Sequence, residues 1–127
     1  MKLLVVDDSS AIRKIIKAAA DVLEMDTEEA QDGIEALEKL EAQHNEIDLV
    51  LLDWNMPQLS GYDVLVDIRN SEKYSKIPVM MVTTESQRSS IVAAIRAGAN
   101  NYLTKPFTVD ELQLKILECL GVPGEGA

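Results

Sequence analysis

The sequence predicts an α/β sandwich, a parallel sheet between two layers of helices, and three observations lead there. Short apolar runs at residues 3–6, 49–52 and 79–82 are too brief for helices, and runs of that length suit strands buried on both faces. Segments with apolar residues at helical spacing come between them. Strand and helix alternate about five times with short connections, an order that calls for parallel strands joined by right-handed crossovers. The 127 residues form one domain with a single core.

The first run, residues 2–6, ends in Asp7-Asp8, and Ser9 and Ser10 are N-cap candidates for the first helix. Ile12, Ile15, Ile16, Ala19 and Leu23 then fall at helical spacing, with Arg13, Lys14 and Lys17 on the other side. Residues 24–31 show no apolar alternation, so propensity alone reads them as loop or helix; only the rhythm of the chain asks for a short strand. Asp32-Gly33 marks a turn, and Ile34, Leu37 and Leu40 trace a second, acidic helix that frays into Gln43-His44-Asn45. His44, the single histidine, has no other histidine or cysteine near it and is expected on the surface rather than on a metal.

The run at residues 49–52 is the centre of the pattern, because it stops at Asp53, and open α/β sheets place their chemistry at the carboxyl ends of strands. Trp54-Asn55-Met56-Pro57 turns the chain away. Ser60-Gly61 leads into Tyr62, Val64, Leu65 and Ile68, a third helix that Asn70-Ser71 ends, and residues 73–76 make a charged surface loop. Pro78 starts the next buried run, which finishes in Thr83-Thr84-Glu85, hydroxyls where earlier strands delivered carboxylates. Ile91, Val92 and Ile95 mark a fourth helix closed by Gly98. Tyr102-Leu103 is a very short last strand before Thr104-Lys105-Pro106-Phe107. Thr108 and Glu111 form a capping box for a fifth helix through Leu112, Ile116 and Leu120. Leu112, Leu114 and Ile116 would also alternate as a strand, but the cap and the length favour helix. Residues 1–120 are read as the domain and 121–127, rich in Gly and Pro, as a flexible tail.

With 46% apolar and 27% charged residues the chain reads as soluble and globular. Cys119 is alone, which excludes an internal disulfide, fits a reducing cytoplasm and makes it a core filler. The apolar run after Met1-Lys2 is too short for a signal peptide or a membrane span, so neither export nor a membrane partner is expected. A net charge of −10 repels phosphate backbones, which argues against nucleic acid and for a cation or a basic protein surface.

Parallel strands all run one way, so Asp7-Asp8, Asp53, Thr83-Thr84 and Lys105 emerge on one edge. Carboxylates gathered there repel; two unit charges ~4 Å apart interact by ~4 kcal/mol at an effective dielectric of ~20. A hard divalent cation relieves that repulsion, and Mg²⁺ accepts a few carboxylates with water and phosphate oxygens. The lack of Cys and His at this edge argues against zinc. Lys105 and a threonine hydroxyl add a charge and a donor suited to a phosphoryl group moving onto a carboxylate nucleophile. Singly, each residue has a structural explanation: Asp7-Asp8 favours a helix N-terminus, Lys105-Pro106 makes a turn, and Thr83 satisfies backbone. The ordered set at successive strand ends does not reduce to these.

Those motifs, Val-Val-Asp-Asp-Ser, Asp-Trp-Asn-Met-Pro, Val-Thr-Thr-Glu and Lys-Pro-Phe, resemble the receiver domain of bacterial two-component response regulators, the stand-alone chemotaxis kind above all, from Lys2 to about Leu120. The resemblance implies a flavodoxin-like fold with strand order 2-1-3-4-5 and five helices. It implies that Asp53 is the phosphoacceptor, that Asp8 and Asp53 bind Mg²⁺ through side chains, Asn55 through its backbone carbonyl and Asp7 through water. It further implies that Lys105 contacts the phosphoryl group and precedes a cis peptide bond to Pro106, and that Thr83 and Tyr102 are paired switch residues. Glu85, Asn55 and Thr84 occupy positions that tune dephosphorylation; Thr84 is larger than the residue usual in chemotaxis regulators. The weak second strand departs from the family pattern.

The expected function is a single-domain response regulator, no enzyme in the ordinary sense, that assists its own phosphorylation by a sensor histidine kinase and its later dephosphorylation. Output passes through protein contact between the fourth and fifth helices, with Ile91 as apolar anchor and Arg88, Tyr102 and Lys115 beside it. The flagellar motor switch is a candidate target and a phosphatase a candidate partner. A phosphohydrolase with an aspartyl-phosphate intermediate would want an acid two residues after its nucleophile, where Asn55 stands, and a receiver-like adaptor would lack an acid or Lys105. No glycine-rich phosphate loop supports a kinase.

Overall fold

The computed structural model describes residues 1–121; the expected tail beyond Gly121 lies outside the described residues. Ten elements alternate in the expected order: β1 (Lys2–Val6), α1 (Ser10–Val22), β2 (Asp26–Ala30), α2 (Gly33–Gln43), β3 (Leu49–Leu52), α3 (Gly61–Asn70), β4 (Val79–Thr83), α4 (Arg88–Arg96), β5 (Asn101–Thr104) and α5 (Val109–Cys119). The sheet is parallel throughout, in the order β2-β1-β3-β4-β5. Alternate residues of each strand feed opposite faces. Leu4, Val6, Val50, Leu52 and Met81 join α2, α3 and α4, whereas Leu3, Val5, Leu49, Leu51, Met80 and Val82 join α1 and α5. A strand apolar at every position is what such two-sided burial demands.

β2 is a strand after all. Its reason lies outside its own residues, because it is the sheet edge, pairing with β1 alone from Lys2↔Asp26 to Val6↔Ala30. Its charged side chains have partners on the flanking helices, Glu28 with Lys39 at 2.9 Å and Glu29 with Arg13 at 2.9 Å. Charge on an edge strand also discourages pairing with another chain. Glu24 ends α1 in the left-handed region (φ 58), and its N–H and that of Met25 donate to Asp21 and Ala20, a Schellman closure on a non-glycine residue.

The helices exist where periodicity puts them, but several bury a different stripe. Ser9, Asp32, Ser60 and Thr108 cap α1, α2, α3 and α5 with their side chains. On α1 the buried residues are Ile16, Ala19 and Ala20, leaving Ile15 at the margin and 43% exposed. α2 turns Gly33, Ala36 and Leu40 inward and leaves Ile34 48% exposed, because small residues let it approach α3; a Cβ on Gly33 would stand 2.6 Å from Val64. α4 buries only Ala94, so Val92 and Ile95, whose spacing marked the helix in sequence, are exposed. α5 is a helix, and its exposed Leu114 settles the choice against a strand.

Two smaller expectations also change. His44 is partly buried, its ring centroid 6.1 Å from that of Tyr74 and its Nδ1 buried without a hydrogen-bond partner. Cys119 does pack on the α1/α5 side of the core but remains partly exposed. No described helix is long and apolar enough to cross a membrane.

Candidate functional site

The sheet ladder continues one residue past the strands and carries the acids with it. The Asp7 N–H donates to Ala30 O (3.1 Å), the Asp53 N–H to Val6 O (3.0 Å) and the Lys105 N–H to Thr83 O (2.9 Å). Backbone fixed in this way leaves side chains little freedom of placement. Asp7 and Asp53 are buried, 2% and 6% exposed, whereas Asp8 faces solvent.

One ammonium holds the two buried acids together. Lys105 Nζ stands 2.7 Å from Asp7 Oδ2 and 3.3 Å from Asp53 Oδ2. Burial lowers the affinity of this amine for its proton, but the Asp7 hydrogen bond and the charges of Asp53 and Asp7 outweigh burial and hold its pKa above the usual lysine value. Asp7 Oδ1 accepts from the Ser9 N–H (2.9 Å), so both its oxygens are engaged, whereas Asp53 Oδ1 has only a long bond from the Asn55 N–H (3.4 Å).

Carboxylate oxygens of Asp7, Asp8 and Asp53 lie within 4.8 Å of one another. Three acids against one lysine leave a net negative charge. An all-oxygen donor set open to solvent at Asp8 fits a hard divalent cation such as Mg²⁺ better than zinc.

The second half of the site is a chain of contacts through Glu85. Thr83 is wholly buried, and its hydroxyl accepts from the Glu85 N–H at 3.1 Å. The carbonyl of the same Glu85 accepts from the Tyr102 hydroxyl at 2.6 Å, and its carboxylate accepts from the Ser90 hydroxyl at 3.0 Å. Tyr102 packs partly against the α2/α3/α4 side of the core. Thr84 and Asn55 face solvent, and the Lys105–Pro106 peptide is cis.

Of the residues expected beside Tyr102, Arg88 is exposed, Ile91 only partly so, and Lys115 donates to Asn101 Oδ1 at 3.4 Å.

Three positioning residues were not singled out from sequence. Arg13 Nη1 donates to the Asp7 carbonyl (2.6 Å) while pairing with Glu29, which ties the end of β1 to β2. Ser90 anchors Glu85. Gly61 lets α3 start directly beneath the acceptor strand: a Cβ there would lie 1.9 Å from Asp53 O, and its N–H donates to Trp54 O at 2.8 Å. A glycine at the first position of a helix, where it is a poor helix former, was the signal available.

Comparison with known proteins comes to the same architecture. The family model described as "Response regulator receiver domain" matches residues 3–117. The chain is 43% identical over 122 residues to the chemotaxis protein CheY1 of Helicobacter pylori, covering 95% of this chain and 98% of that one. It is likewise 43% identical over 129 residues to a chemotaxis protein CheY homolog of Campylobacter jejuni, at 100% and 98% coverage. Among solved structures it resembles chemotaxis protein CheY4 of Vibrio cholerae (TM-score 0.83, 33% identity, 94% and 97% covered). The receiver domain of the Francisella response regulator 1452 is also similar (TM-score 0.84, 32% identity, 94% and 96% covered).

Proposed function

The chain belongs to the response regulator receiver domain family, whose members are signalling proteins rather than conventional enzymes, and we propose that it works by accepting a phosphoryl group on Asp53. The observation that carries this reading is the unequal use of the two buried acids. Asp7 is saturated by Lys105 and the Ser9 N–H, while Asp53 keeps an oxygen with only one long partner, and a nucleophile needs a free lone pair.

In the proposed reaction an Asp53 oxygen attacks the phosphorus of a phosphohistidine on a sensor kinase. The P–N bond breaks, the imidazole leaves with its electron pair, and an acyl phosphate forms. Water later attacks that phosphorus, releasing inorganic phosphate and returning the carboxylate. Lys105 supplies positive charge against the phosphoryl oxygens, and the Thr83 hydroxyl donates to one of them. Asp8 and Asp53 would hold Mg²⁺ by their side chains, Asn55 by its carbonyl and Asp7 through water. The ion, when bound, neutralises charge that builds up on the phosphoryl oxygens. In this reading Asn55, Thr84 and Glu85 tune hydrolysis.

The switch reading rests on Glu85. Its N–H holds Thr83 and its carbonyl holds Tyr102, so a Thr83 hydroxyl drawn to a phosphoryl group frees the Glu85 peptide and with it the tyrosine ring. A local change of charge then becomes a change of surface between α4 and α5. Arg88, Ile91, Tyr102 and Lys115 form the proposed output face. Residues 1–120 constitute the working unit, in the cytoplasm. The names of the relatives point to chemotaxis, with the flagellar motor switch as target and a phosphatase as a further partner.

Incubation with acetyl phosphate and Mg²⁺ tests the reading. One labile phosphoryl group should map to Asp53 and be absent from Asp53→Asn, which keeps the side chain's shape; an adduct that survives this substitution refutes the assignment.

A further inference from the structure

The outer side of α2 carries a groove of about 550 Å³ lined by Ile34, Leu37, Glu38, Glu41 and Tyr74. Tyr74 lies in the segment leading into the start of β4, at the end of the sheet opposite the acids, so the groove runs away from the Asp53 site. Its floor is apolar. Ile34 is nearly half exposed beside Leu37, so the groove presents apolar side chains to solvent.

We propose that this groove docks a basic amphipathic segment of a partner protein, a use separate from phosphorylation. The apolar floor would take a row of partner side chains, as in helix-in-groove recognition. Its rim selects cations: Glu38 and Glu41 are one helical turn apart and both exposed, matching basic residues at the same spacing. Glu41 already accepts a cation, Lys73, in a pair whose side chains are 54% and 57% exposed and therefore exchangeable. Nucleic acid would meet these carboxylates unfavourably. A second copy of this chain, with its net charge of −10, is opposed for the same reason.

The test uses a short leucine–lysine amphipathic helical peptide as the probe, with amide chemical shifts of the full chain as the readout. Shifts should concentrate at residues 34–41 and 74, persist unchanged in Asp53→Asn, and be absent with the leucine–glutamate version of the peptide. Ile34→Asp separates the groove from bulk charge attraction. It adds a negative charge near the start of α2, where an acid is tolerated, so charge alone predicts tighter binding, whereas a docking groove loses about tenfold in affinity. Glu38→Lys should weaken binding and reduce its salt dependence. No saturable binding, tighter binding by Ile34→Asp, or shifts confined to α4 and α5 would each overturn the proposal. So would sedimentation showing that the chain self-associates through residues 34–41, which would assign the groove to a second copy.

Discussion

The Tyr102 hydroxyl donates to the Glu85 backbone carbonyl at 2.6 Å, fastening the last strand to the loop after β4. The phenol is pushed up to about 12 from 10.0, first by burial and then by the charges of Glu85 and Asp53. Because the folded pKa lies above the unfolded one, the unfolded chain loses this proton first. The associated stability is complete below pH 10 and is lost as pH rises toward about 12. An ultraviolet tyrosinate titration, with circular dichroism to follow unfolding, should show a late phase that Tyr102→Phe removes. A late phase retained in that variant would assign it to another tyrosine.

Lys105 neutralises two buried acids, so Lys105→Ala leaves them facing each other without a cation. Loss of one partner from a buried pair costs about 3 kcal/mol, and urea unfolding without Mg²⁺ should register a loss of that order. Millimolar Mg²⁺ should return part of it. A variant as stable as the parent in metal-free buffer would mean that the pair contributes little.

Trp54 follows Asp53 directly and packs against Tyr62 at a tilt, ring centroids 5.4 Å apart, so its fluorescence should report events at the acids. Mg²⁺ should change the emission saturably and raise the melting temperature, since a ligand bound only by the folded chain stabilises it. Asp8 is exposed, and Asp8→Ala should fold normally yet lose both responses. Retention of either response in that variant would remove Asp8 from the metal site.

Gly61→Ala puts a methyl group where the Asp53 carbonyl already stands, at 1.9 Å. The contact is to backbone, so α3 or the acceptor segment has to move, at a cost of about 2 kcal/mol. Phosphorylation by acetyl phosphate should slow by more than the loss of folded protein explains. Unchanged kinetics would show that Asp53 tolerates displacement of its own backbone.

The proposed output face can be separated from the chemistry. Ile91→Ala and Tyr102→Ala should weaken binding of the phosphorylated chain to its target about tenfold each, while phosphate incorporation stays near the parent level. Two variants that bind normally would move the output face elsewhere on the domain.

Much of the site was legible in the sequence because its residues sit at the ends of strands that announce themselves. β1, β3 and β4 are apolar at nearly every position, a pattern few other structures produce, and a parallel sheet then brings Asp7, Asp53, Thr83 and Lys105 to one edge without further information. Two capping residues were equally readable, since Ser9 and Thr108 act within their own turn. What only the tertiary structure decided is everything whose cause lies elsewhere in the chain. β2 is a strand because β1 offers it an edge and because Lys39 and Arg13 satisfy its glutamates. Ile34 and Ile95 face outward because their helices bury the small residues Gly33, Ala36 and Ala94 instead, and a periodic pattern cannot tell which of two stripes packs inward. Lys105 pairs first with Asp7, 98 residues away in sequence. Local sequence determines which residues reach the edge, but the choice of partner among several acids depends on distances of a few ångströms that only packing sets.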